Sequence, residues 1–268
     1  MVNGASTWVI ACKEFKDAVR SFWLLAGSCL FVLTSLSVIY GVAALGGDFN
    51  FRPLPSVMNS LLMLDVFLIP LIAVLMAYDA FVGEKEQGTL LLLLTYPISR
   101  TALLVGKLLG QGFAFGLCLL IGSSVLPILS AVHLLPYDLT EVGKLTFALV
   151  ISGWLLGLVF ILISYAISLC ASTKAQALAA LLLIWLISVL LYDLGLLIFT
   201  IAFEGKITNE LMNICLMINP STLFRLLNHD LLEAQVLSQN VLLMGMYLCI
   251  WFVVFFLIDR WLLVRRTY

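Results

Sequence analysis

Followed from end to end, the apolar positions of this chain fall into six long runs separated by short polar stretches. The runs cover about 21–45, 55–78, 103–132, 146–172, 176–202 and 238–259. A hydrocarbon core about 30 Å thick is crossed by ~20 apolar helical residues, so every run is long enough to span it. Inside a bilayer no water satisfies backbone N–H and C=O groups, which leaves helices or closed barrels as spanning structures. A barrel would show alternating segments of about ten residues, whereas these runs are longer and continuously apolar. The expected fold class is all-α, a polytopic membrane protein with six transmembrane helices forming a single domain over 1–268.

Three stretches outside the runs carry their own pattern. Residues 4–20 place Trp8, Val9, Cys12, Phe15 and Val19 on one helical stripe, with Lys13, Lys16, Asp17 and Arg20 largely on other faces. That predicts an N-terminal helix lying in the membrane interface. Residues 79–101 form the most polar internal segment. Residues 203–237 mix apolar pieces with Asn219-Pro220, which predicts short helices broken by a turn.

Charge sets the expected orientation. With the N-terminus inside, ten basic residues are cytoplasmic: Lys13, Lys16, Arg20, Lys85, Arg100, Lys107, Lys174, Arg260, Arg265 and Arg266. Four are external: Arg52, Lys144, Lys206 and Arg225. The excess of ten over four predicts cytoplasmic N- and C-termini. Composition agrees with a lipid solvent: of 268 residues, 63% are hydrophobic and 11% charged, against about a quarter charged in soluble chains. The net charge of −1 gives no nucleic-acid footprint. The six cysteines lack paired spacing, and on this topology only Cys215 is external, so no disulfide framework is expected. No cleavable signal peptide is expected either, since the first run is full-length and follows mixed charges.

Away from the run ends, two carboxylates fall inside apolar runs, Asp65 in the second and Asp193 in the fifth. Each costs roughly 2.5–3.5 kcal/mol at a span centre, so both should face the bundle interior or a water-filled cavity. One reading is a pathway or conformation-sensing residue; the plainer one is a carboxyl hydrogen-bonded to a neighbouring helix. On the external side, His133, His229, Met212, Cys215 and Met217 have side chains that suit copper. They have no ligand spacing, so packing is the expectation and no metal site is assigned. Asn219, Pro220 and Arg225 are candidates for an external gate or docking surface, Arg225 offering a planar fork to a carboxylate.

No phosphate-binding loop, HExxH or GxSxG is present, so no catalytic residue is assigned and the chain is not expected to be an enzyme. The unusual segment is 78–107, where Glu84, Lys85 and Glu86 lead through Gly88 and Thr89 into five leucines. Pro97 then breaks the chain, and Ser99 with Arg100 opens the third run. Five leucines are too few to span and need a hydrophobic cover, from the protein's own helix ends or from a partner's groove.

Glu-x-x-x-Gly-Thr-Leu-x-x-Leu-Leu-x-x-Pro-x-Ser-Arg at 84–100, with Gly106-Lys107 following, resembles the cytoplasmic loop of type-2 ABC transporter permeases. The whole layout of interfacial helix, six spans and long external stretch resembles that family too. The wording at 77–84 and 89–97 is closest to the branch that serves maturation of nitrous-oxide reductase, a copper enzyme.

The resemblance implies a coupling helix over about 84–94, seated in a groove of a separate cytoplasmic ATPase. Gly88 would allow close backbone approach there, and Leu90, Leu92 and Leu94 with Thr89 would fill the socket. Glu84 and Glu86 would pair with the ATPase or cap the helix, and Pro97 and Arg100 would fix the return into the membrane. It further implies a homodimer in the bacterial inner membrane with a NosF-like ATPase dimer, which would bind the ATP and magnesium; no cofactor is expected in this chain. A periplasmic NosD-like protein is the implied external partner, with a copper chaperone as a further candidate. The action would be transport or mechanical work on that partner. Rival readings are a general type-2 exporter permease for a lipid, glycan or drug, and a non-ABC channel or scaffold.

Overall fold

The structure, a computed structural model, describes residues 4–45, 51–89, 99–203, 209–234 and 239–265. Every regular element among them is helical. Helix α1 (Gly4–Val19) precedes the first span, α2 (Phe22–Leu45), and α3 (Leu54–Ala77) is the second. The short α4 (Val82–Glu86) follows, then the third span α5 (Arg100–Ser123) and the one-sided extension α6 (Val125–Ala131). The fourth span is α7 (Leu139–Cys170). The fifth is built from α8 (Lys174–Leu186), a π turn (Ile187–Leu191) and α9 (Tyr192–Ala202). Helices α10 (Asn209–Ile218) and α11 (Pro220–Ala234) lead to the sixth, α12 (Gln239–Arg265).

Local chemistry explains the boundaries. Ser99 caps α5, its Oγ accepting from Ala102 N–H at 3.1 Å. Asp138 does the same for α7 and Thr173 for α8. The third apolar run divides at Ser124 because Pro127 has no N–H to give the carbonyl four residues back, and its ring crowds that carbonyl. The fifth run is interrupted by the π turn, which apolar patterning does not signal.

The core gathers around α7, which packs against α3, α5, α11 and α12 and is buried along most of its length. The fifth and sixth spans reach this core along one side, through Leu181, Val189, Val241, Leu248 and Leu263, and leave their other faces uncovered. Leu194, Leu197, Ile198 and Ile201 of α9 and Met246, Ile250, Val253 and Leu257 of α12 are exposed apolar side chains, as lipid-facing positions must be.

Helix α1 turns Thr7, Ala11, Glu14 and Ala18 inward and leaves Trp8, Val9 and Val19 outward. Its inner face lies on α5 at Gly106 and Gly110. A Cβ at Gly110 would stand 2.6 Å from the Ala11 carbonyl oxygen and 2.6 Å from Glu14 Cβ, so only glycine admits α1 this closely. Of the predicted apolar stripe, Trp8, Val9 and Val19 are exposed, whereas Cys12 and Phe15 are half-buried; the buried face carries a carboxylate.

Candidate functional site

That carboxylate meets a lysine from the third span. Lys107 lies about two turns into α5, with a side chain only 2% exposed. Its Nζ donates to Glu14 Oε1 at 3.0 Å and to Glu84 Oε1 at 2.7 Å. The Phe81 ring lies beneath it, with its centroid 5.3 Å from Nζ. Removing an ammonium from water costs several kcal/mol on the order of an effective Born penalty, and two short charge-assisted bonds are what make this burial tolerable. One turn further along α5, Gln111 accepts from the Tyr165 hydroxyl at 2.9 Å, and Tyr165 stands edge-on to Phe81. Helices α1, α4, α5 and α7 therefore meet at one polar knot.

The remaining groups of α4 bind it to the junction of the fourth and fifth spans. Ser168 Oγ accepts from Phe81 N–H at 3.1 Å and Val82 N–H at 3.0 Å. Lys85 donates to the Ala171 carbonyl at 3.2 Å, at the end of α7. Glu86 accepts from Lys174 N–H at 2.8 Å, which satisfies a free donor in the first turn of α8. Asp79 pairs with the Lys174 ammonium at 3.5 Å. Arg100 reaches the end of the sixth span, Nη1 donating to the carbonyls of Leu263 at 2.5 Å and Val264 at 2.8 Å.

Among the residues singled out from the sequence, Glu84 and Glu86 thus have partners inside the chain. Helix α4 ends at Glu86, with Gly88 in the left-handed region (φ 70°), where a side chain would be strained even though the space around it is open. The expected helix over about 84–94 is therefore not continuous: a short helix closes before Gly88, and Thr89 is helical again, its hydroxyl bonded to the Glu84 carbonyl at 3.2 Å. Leu90, Leu92, Leu94 and Pro97 lie outside the described residues.

At the opposite end, two groups that sequence had assigned to different depths come together. Asp193, one residue past the start of α9, forms a forked pair with Arg225 of α11, at 2.5 and 3.1 Å. Thr222 adds a hydroxyl at 3.3 Å. Asn219 caps α11 through Ser221 N–H, at 3.1 Å, and donates to the Ser188 carbonyl within the π turn. Pro220 occupies the first position of α11, where its missing N–H has no intrahelical role. The Tyr192 hydroxyl holds the Cys215 carbonyl. Asp65 is buried in mid-span of α3.

Sequence patterning missed Lys107 and Asp259. Lys107 counts there only as a cytoplasmic basic residue and as part of the Gly106-Lys107 wording, and its signal was its place inside rather than before the third helix. Asp259 is fully buried in α12, and its two carboxylate oxygens have no hydrogen-bond partner among the described residues. Among the described residues no three His, Cys, Asp or Glu side chains converge as a metal site.

Residues 8–266 match the family described as ABC-2 family transporter protein. Over 224 residues the chain is 44% identical to the probable ABC transporter permease protein NosY of Pseudomonas aeruginosa, covering 82% of this chain and 80% of that one. Over 241 residues it is 40% identical to the probable ABC transporter permease protein NosY of Stutzerimonas stutzeri, covering 89% and 86%.

Proposed function

The chain belongs to the ABC-2 transporter family as a multi-pass permease subunit of the inner membrane, and on that premise we propose that it passes the motion of a separate cytoplasmic ATPase to its spans through residues 79–107. The observation that carries this reading is the knot at Lys107. A push on α4 reaches α1 and α5 through Glu14–Lys107–Glu84, α7 through Ser168, and α8 through Glu86. Buried ion pairs of this kind resist partial separation, because each half-broken state leaves a desolvated charge. The joint therefore moves as a unit.

The side holding α1, α4 and the end of α12 is the cytoplasmic one in this reading, in line with its ten basic residues. The permease works as a homodimer with two ATPase subunits that bind ATP and magnesium, and residues 89–94 supply the apolar contact to them. The exposed apolar faces of the fifth and sixth spans offer room for the second copy. The NosY name of both relatives supports service to the copper sites of nitrous-oxide reductase. The Asp193–Arg225 end faces the periplasm, where a NosD-like protein is engaged, by transport or by mechanical action.

The test is purification in mild detergent with the proteins that accompany the chain. An ATPase subunit should co-purify, and Leu92→Asp or Gly88→Trp should abolish ATPase stimulation while insertion stays normal. Stimulation surviving both changes, or a Gln87→Cys variant labelled from the periplasm, would overturn the assignment.

A further inference from the structure

Asp65 sits where four spans meet. A cavity of about 10 Å³ is bordered by Asp65 from α3, Ser35 from α2, Gly122 and Ser123 from α5, and Thr146 from α7. That volume is near the minimum for one water-sized occupant. Asp65 and Thr146 are 8% and 9% exposed. Thr146 Oγ1 has no hydrogen-bond partner among the described residues. Ser35 Oγ donates to the Gly122 carbonyl at 3.1 Å, which turns its lone pairs to other use.

The geometry points to a monovalent-cation site, with sodium as the fitting ion. The carboxylate of Asp65, the hydroxyls of Ser35 and Thr146 and the Gly122 carbonyl are hard oxygen donors, the set that holds alkali and alkaline-earth ions rather than transition metals. One positive charge cancels the single carboxylate, whereas a divalent ion would leave an uncompensated charge in the hydrocarbon core. The small volume favours sodium over the larger potassium ion. Sodium held between helices by carboxylate, hydroxyl and carbonyl oxygens is a physically sound arrangement at this depth. Bound, it would tie the first four spans together at the level opposite the Lys107 knot. The inference does not rest on the assignment of the coupling segment.

The test measures the thermal midpoint of the full-length chain in detergent, with sodium, potassium or choline chloride at equal ionic strength. Sodium should raise the midpoint saturably above choline, and potassium should do so less. Asp65→Asn should abolish the sodium effect, and Thr146→Val should weaken apparent sodium affinity about tenfold. Thr146→Val guards against an Asp65 variant that fails to fold. No sodium-specific shift in the unaltered chain, a shift that survives Asp65→Asn, or a midpoint that follows pH but not sodium would overturn the proposal.

Discussion

Replacing Lys107 with methionine keeps the length and apolar stem of the side chain and removes its charge. Glu14 and Glu84, with side chains 10% and 14% exposed, then face each other without the cation that holds them at 3.0 and 2.7 Å. Breaking a buried pair by removing one partner costs about 3–5 kcal/mol, because the residual charge stays desolvated. For a chain of this size that lowers the thermal midpoint by on the order of 10 °C. The informative variant is the triple change Lys107→Met, Glu14→Gln and Glu84→Gln. Replacing all members of a buried ion cluster by uncharged groups is often neutral for stability, so the midpoint should recover most of the loss. Coupling should not recover, since neutral amides lack the stiffness of the ion pairs that join α1, α4 and α5. Midpoint and nucleotide-dependent ATPase stimulation, measured on the same purified complex, separate the two effects. A single Lys107→Met that leaves the midpoint unchanged would refute the burial argument. A triple variant with full stimulation would refute the ion cluster as the transmitting joint.

Two further outcomes follow from the packing. Gly110→Leu drives a side chain into Ala11 O and Glu14 Cβ, both 2.6 Å from the position of a Cβ, so α1 should lift from α5 at a cost of about 1–3 kcal/mol; labelling of Cys12 by a thiol reagent should quicken, and unchanged labelling would count against the close α1–α5 contact. Asp193 and Arg225 are 30% and 27% exposed, so their pair should contribute only about 1 kcal/mol in a double-mutant cycle of Asp193→Asn and Arg225→Met. Strictly additive single effects on the thermal midpoint would show the two residues to be uncoupled.

Apolar run length alone determined the six spans, because the thickness of a bilayer dictates length and its dryness dictates helices. The cap at Ser99 and the turn at Asn219-Pro220 were equally legible, being local side-chain-to-backbone chemistry. The leucine-rich segment after Glu84 carried the family resemblance in its own wording. What lies between helices was not legible. Pattern on one helix says which face is polar and says nothing about which residue on another helix meets it. So Glu14 was one of the mixed charges ahead of the first run, Lys107 a cytoplasmic basic residue and Glu84 a contact for a partner or a helix cap, and only the packing of α1 on Gly106 and Gly110 brought the three together. Asp193 and Arg225, 32 residues apart, likewise met through the way α11 folds back on the fifth span. The π turn beside them is a registry adjustment with no apolar signature, set by tertiary contacts such as Asn219 to the Ser188 carbonyl.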